Sequence, residues 1–184
     1  MTQTTLTNKV KILSIFFLAF LCHSCFSIKP TSTKTGKKYF ETFFVGEDGT
    51  QYFIKPLSFI NKEKKEELFV DFTFRYKDTV KDSVIVNLSI EGPQIYKNID
   101  SLIISNIDHK ITAKDINLLF NEKTDESFKS RFSTKIPLIE IKELSENSKW
   151  SFTMFQEIKS TEYKSTNSTE NALTVLKDKI FVLM

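Results

Sequence analysis

Apolar and polar residues alternate along much of this chain, and the clearest run is "ELFVDFTFRY", residues 67–76. Leu68, Val70, Phe72, Phe74 and Tyr76 fall on one face, and Asp71, Thr73 and Arg75 on the other, with Phe69 as the exception. A period of two over nine residues predicts a strand with one face buried. Each large apolar side chain is stabilised by about 1.5–3 kcal/mol on burial, so five in register mark a core face. "SVIVNLSIEG" repeats the pattern, with Val84, Val86, Leu88 and Ile90 inward and Ser83, Asn87, Ser89 and Glu91 outward. Residues 77–82 join the two runs as a hairpin.

Upstream, "YFETFFVGEDGTQYFIKP" predicts another hairpin with Asp48-Gly49 as its turn. Pro56 either ends its second strand or places that strand at an edge. "DSLIISN", "SFKSRFSTKI" and "KWSFTMF" are further strands, and "KIFVLM" is a last one. In the second of these Phe128, Ser130, Phe132, Thr134 and Ile136 share a face; in the third Trp150, Phe152 and Met154 do, and Trp150 is expected in the core.

Helix signals are fewer. "TAKDINLLF" places Asp115 three residues after Thr112, a variant of the capping box, and "NSTENALTVLKD" relates Asn167 to Glu170 in the same way. "PLIEIKELSEN" suits either a strand or a helical turn. Many short strands joined by turns predict a mainly β fold: an antiparallel β-sandwich, with an immunoglobulin-like arrangement as one form, and one or two short helices. The cysteine pair and tryptophan spacing of true immunoglobulin domains are absent.

The N-terminus follows a different pattern. Lys9 and Lys11 precede ten residues, 12–21, that are apolar apart from Ser14, and Cys22, His23, Ser24 and Cys25 follow. A basic segment, a short apolar segment and a small residue read as a secretory signal over residues 1–24. Ten residues fall short of the roughly 20 needed to span a bilayer. Cys22 and Cys25 are the chain's two cysteines, and cleavage after Ser24 leaves only one, so no intrachain disulfide is expected.

This stretch resembles the signal of bacterial lipoproteins, with Ser24 in the small position before the acylated cysteine and Leu21 four residues before it. Cys22 and His23 depart from the strict pattern. The resemblance covers residues 1–25 and implies a diacylglycerol group, and usually a further chain such as palmitate, on Cys25. One chain holds a protein only marginally, whereas two or three anchor it stably. The alternative is an ordinary secretory signal with an incidental free cysteine.

Charge divides what remains. Residues 26–38, "FSIKPTSTKTGKK", hold four lysines and no acid, and with Cys25 form a basic tether, 25–38, spanning about 20 Å. Residues 39–184 carry 20 Lys and Arg against 23 acids, and suit a single β-rich domain. Lipoproteins of the Bacteroidota, which this Lys-, Asn-, Ile- and Phe-rich composition resembles, are associated with surface export when acids follow the cysteine. None does here, so the resemblance implies a cell-envelope position, on the outer membrane and facing the periplasm rather than the surface.

Candidate chemistry is sparse. Cys25 is the one site residue, for lipid attachment; no catalytic, cofactor-binding or metal-binding residue is assigned, and no cofactor is expected. His109, in the polar turn "NIDHKI", is the only histidine after residue 24 and is expected to be an exposed loop residue. No G-x-S-x-G elbow, P-loop or dinucleotide fingerprint occurs. Glu140 with Glu143, and Asp125 with Glu126 near Glu122, read as surface charge. Arg75 and Arg131 are the only arginines, both pointing outward, which hints at a protein partner at the envelope. The acidic domain argues against nucleic acid. Three functions remain: a membrane-anchored, non-catalytic binding or assembly module; an envelope hydrolase using carboxylates not identified; and a carbohydrate-binding accessory domain.

Overall fold

A computed structural model of the chain describes residues 38–77 and 83–183. Cys25, the expected signal over residues 1–24, most of the expected tether and residues 78–82 lie outside the described residues. The described residues form ten strands: β1 (Phe40–Phe44), β2 (Thr50–Asn61), β3 (Glu66–Tyr76), β4 (Ser83–Gly92), β5 (Ser101–Ser105), β6 (Lys110–Ala113), β7 (Asn117–Lys123), β8 (Phe128–Pro137), β9 (Ser151–Gln156) and β10 (Lys159–Ser165). Two helices, α1 (Leu138–Leu144) and α2 (Asn167–Lys179), accompany them.

The fold is mainly β and antiparallel, as expected, but its strands form one sheet where a two-sheet sandwich was predicted. The order is β6-β5-β9-β10-β2-β3-β4-β8-β7, with β1 also pairing β2. Connectivity explains why the sheet curls into a half-barrel. Its edge strands β6 and β7 are consecutive in sequence, joined by residues 114–116 alone. Four backbone steps reach about 14 Å, so the two edges must approach each other at that corner.

Period two sets the core. β3 and β4 turn Leu68, Val70, Phe72, Phe74, Val84, Val86, Leu88 and Ile90 to the concave face, all buried. Trp150 packs edge-to-face on Phe72 at 6.0 Å, and its indole N–H donates to the carbonyls of Leu144 and Asn147. The expected core position of Trp150 holds.

Pro56 does not end its strand. Pairing moves from Ile54↔Phe72 to Leu57↔Val70, so β2 uses three steps where β3 uses two. That bulge absorbs a residue with no N–H for the ladder and returns Leu57 and Phe59 to the face of Ile54. The far edge of β2 changes partner at the same place: β1 pairs it up to Ile54, and β10 pairs Phe59 and Ile60.

Three further expectations are corrected. "TAKDINLLF" is the end of β6, a link and β7, with no helix. "KIFVLM" is the end of α2 and a 3-10 turn (Phe181–Leu183), whose Phe181 stacks on Phe74 at 6.1 Å. β10 was not predicted. The ambiguous "PLIEIKELSEN" contains α1, which buries Leu138, Ile141 and Leu144. α2 forms where expected, but its cap is Thr166, which accepts from the Thr169 N–H, and not Asn167.

The two ends of the half-barrel differ. α1 carries the chain from β8 to β9 over one end. Over the other, residues 93–100 run as a strap from β4 to β5, which four strands separate in the sheet. Tyr96 and Ile99 of the strap are buried.

Candidate functional site

The strap end holds the one acidic side chain that is fully buried among the described residues. Glu66 opens β3 in phase with Leu68 and Val70, so the same alternation that buries them takes its carboxylate inward, to 3% exposure. A buried carboxylate is costly unless donors surround it. Tyr163 of β10 donates to Glu66 Oε2 at 2.7 Å. The Tyr96 hydroxyl lies 2.9 Å from Oε1 and 2.8 Å from Oε2. Gln94 Nε2 donates to Oε1 at 3.0 Å and to the Tyr96 oxygen at 3.1 Å.

Both phenols remain protonated donors at neutral pH. Burial pushes the Tyr163 hydroxyl far above the ordinary tyrosine range, and its bond to Glu66 adds to this. Burial also raises Tyr96. The Gln94 amide turns its NH₂ toward the Glu66 carboxyl group. The backbone is adapted as well. A Cβ on Gly92 would lie 2.6 Å from Glu66 Cγ, so a glycine beside this carboxylate is what the space allows. The strap is secured by Tyr96 N–H donating to Ser130 Oγ at 2.9 Å.

Above this cluster is a cavity of about 260 Å³. Tyr96, Ile99 and Met154 give it buried, largely apolar walls. Gln94, Gln156 and Thr161 add polar atoms, and Lys64 and Lys159 bring cations. Lys64 Nζ donates to Thr161 Oγ1. Gln156 Nε2 donates to Asn98 Oδ1 at 3.2 Å, and Asp100 Oδ2 accepts from the Glu157 N–H at 2.5 Å, which ties the β9–β10 hairpin to the strap. The two hairpins that carry the lysines each hold a non-glycine residue in the left-handed region, Lys65 at φ 55° and Glu157 at φ 54°. Such residues are uncommon and cluster near functional sites. A wider, more open depression of about 730 Å³ lies across Lys64 and Thr161, where Glu63 and Glu162 mix with Lys62 and Lys164.

The sequence-predicted residues lie elsewhere. Arg131 does point outward, onto the convex face, but it is engaged there: it pairs with Asp71 at 2.7 Å and donates to Ser89 Oγ at 2.5 Å, while Asn87 donates to Asp71 at 2.7 Å. Arg75 lines a shallow convex groove of about 440 Å³ with Phe53, Ile85 and Lys135. His109 sits in the β5–β6 turn, half-buried where exposure was expected, with its N–H bonded to Asn106 Oδ1. Glu140 and Glu143 are on α1, and Glu122, Asp125 and Glu126 are exposed on β7 and its turn to β8. None joins the cavity. No group of His, Cys, Asp and Glu suited to a metal ion occurs among the described residues.

Sequence reasoning missed Glu66, Tyr96 and Tyr163. A signal for the first existed: counting back two from Leu68 places Glu66 on the core face, and counting on two from Ile90 places Gly92 there. No protein-family model matches this chain, and no curated protein or solved structure matches it.

Proposed function

We propose that this chain is a lipid-anchored protein of the cell envelope whose half-barrel domain binds a small molecule without transforming it. The observation that carries the binding reading is the bracing of Glu66. Its oxygens are filled by three neutral donors, and it is not among the residues lining the cavity, whereas its partners Tyr96 and Gln94 are. A general acid or base needs reach to a reacting atom; this carboxylate instead holds Tyr96 and Gln94 in one orientation. Small-molecule sites are concave, largely preformed and given a few fixed polar groups, and the cavity fits that description.

The anchor rests on residues 1–25. Lipid on Cys25 accounts for membrane attachment without a transmembrane helix, and no helix among the described residues is long and apolar enough to cross a membrane. The tether would then hold the domain close to the outer membrane, on its periplasmic side.

Two measurements test the reading. Cys25→Ala should move the protein from the membrane fraction to the soluble one, and a variant as tightly bound as wild type in high salt would refute the anchor. For binding, Met154, one of the chain's three methionines, lines the cavity. In protein labelled with ¹³C at the methionine methyls, the Met154 signal should shift saturably when low-mass envelope constituents are added. A shift accompanied by consumption of the added compound would favour the hydrolase alternative.

A further inference from the structure

We infer that the cavity at the strap end binds a small hydroxylated organic anion of the sugar-acid type. The inference rests on the cavity being a binding site and names what it binds. Charge is the first argument. Lys64 and Lys159 line the cavity and no acidic residue does. Lys64 spends one N–H on Thr161 and keeps two. Lys159 makes no ion pair or side-chain hydrogen bond among the described residues. The nearby carboxylate of Glu66 is held by Tyr96, Tyr163 and Gln94, so it does not neutralise either lysine through contact.

The amides supply the second argument. Gln94 directs its NH₂ to Glu66 and Tyr96, and Gln156 directs an N–H to Asn98. Each therefore keeps its carbonyl oxygen, a pure acceptor, outside these bonds, and both residues line the cavity. Two cations and two acceptors suit a molecule that carries both a negative charge and hydroxyl donors. Met154 and Ile99 provide an apolar surface for the C–H face of such a molecule.

Size is the third. At about 260 Å³ the cavity lies just below the roughly 300–1,000 Å³ of drug-sized sites, which limits the ligand to about a dozen non-hydrogen atoms. A single sugar acid meets that limit, and an oligosaccharide does not.

The test uses the full-length, methionine-methyl-labelled protein in detergent, titrated with glucuronate and, separately, with glucose. Glucuronate should shift the Met154 methyl saturably, and glucose should bind at least about tenfold more weakly, since a charged hydrogen bond accounts for that factor or more. Lys159→Gln, at an exposed position, should weaken glucuronate about tenfold at an unchanged melting temperature. Lys64→Gln should do the same even if it melts slightly lower. Glucose binding as tightly as glucuronate, or both lysine variants binding glucuronate normally, would overturn the anion inference and leave the cavity as a binding site. No Met154 shift with either sugar at millimolar concentration would overturn both.

Discussion

Removing one hydroxyl tests whether the Glu66 cluster is a mutually dependent unit. Tyr163 is fully buried and its hydroxyl donates to Glu66 at 2.7 Å. Tyr163→Phe keeps the ring and deletes that donor. Hydrogen bonds to charged groups contribute about 1.5–3 kcal/mol, and Tyr96 and Gln94 still hold the carboxylate, so a loss of about 2 kcal/mol is expected. For a domain of this size that lowers Tm by about 4–8 °C. The sharper result comes from a double-mutant cycle with Glu66→Leu. With the carboxylate gone, the Tyr163 hydroxyl keeps only the neighbouring Tyr96 hydroxyl as a partner, and Tyr163→Phe should cost far less than in the wild type. Chemical denaturation of the four proteins gives a predicted coupling of about 2 kcal/mol. Additivity within about 0.5 kcal/mol would show that the phenol and the carboxylate do not depend on each other, and the bracing argument would fail.

Three further predictions follow from the same geometry. Gly92→Ala should destabilise by about 1–3 kcal/mol through its clash with Glu66 Cγ, and by much less in a Glu66→Ala background, as read from denaturation midpoints. Phe72→Asp should unfold the domain, since Phe72 is buried with no partner for a charge, whereas Thr73→Asp, on the convex face, should cost under about 1 kcal/mol; circular dichroism and thermal melts compare them, and equal damage would refute the assignment of faces. Tyr52, Tyr96 and Tyr163 have pKa values raised by burial, so above about pH 10 the unfolded chain releases protons that the folded one keeps, and stability should be intact below that pH and fall above it. Ultraviolet titration should show the Tyr163 phenol ionising only as the domain unfolds, with Tyr52 and Tyr96 titrating above the ordinary tyrosine range.

What the sequence revealed depended on how many large apolar residues kept the beat. β3 and β4 were legible because four or five such residues alternate without a break, and β8 because Phe128, Phe132 and Ile136 keep the phase with Ser130 and Thr134 between them. β10 was hidden because only Tyr163 and Thr161 mark its inner face, among Ser160, Glu162 and Lys164. Pro56 misled because a bulge, invisible in a period-two reading, lets β2 continue to Asn61. "KIFVLM" looked like a strand because Ile180 and Phe181 are core residues, yet they complete the packing of α2 on Phe74. The choice between sandwich and half-barrel turned on strand order, which local patterns do not encode; the short β6–β7 link carries that information only once both are known to be edge strands.

The site was less legible than the fold. Glu66 sits in "KEKKEEL", where a run of mixed charges reads as solvated surface, although its phase with Leu68 places it inside. Its partners come from 30 and 97 residues away, Tyr96 on a strap without regular structure and Tyr163 on the strand that was missed. Convergence of this kind is a property of the topology. The proposed lipid attachment at Cys25 rests on a local sequence pattern, which is read without a fold and lies outside the described residues.

The most direct test of the account is a crystal structure of the protein grown with and without glucuronate. The account predicts the sugar acid in the strap-end cavity, its carboxylate between Lys64 and Lys159 and its ring against Met154, with the bonds from Tyr96, Tyr163 and Gln94 to Glu66 unchanged between the two structures. A sugar acid seated elsewhere at full occupancy, or a Glu66 released from its tyrosines to contact the ligand, would contradict it.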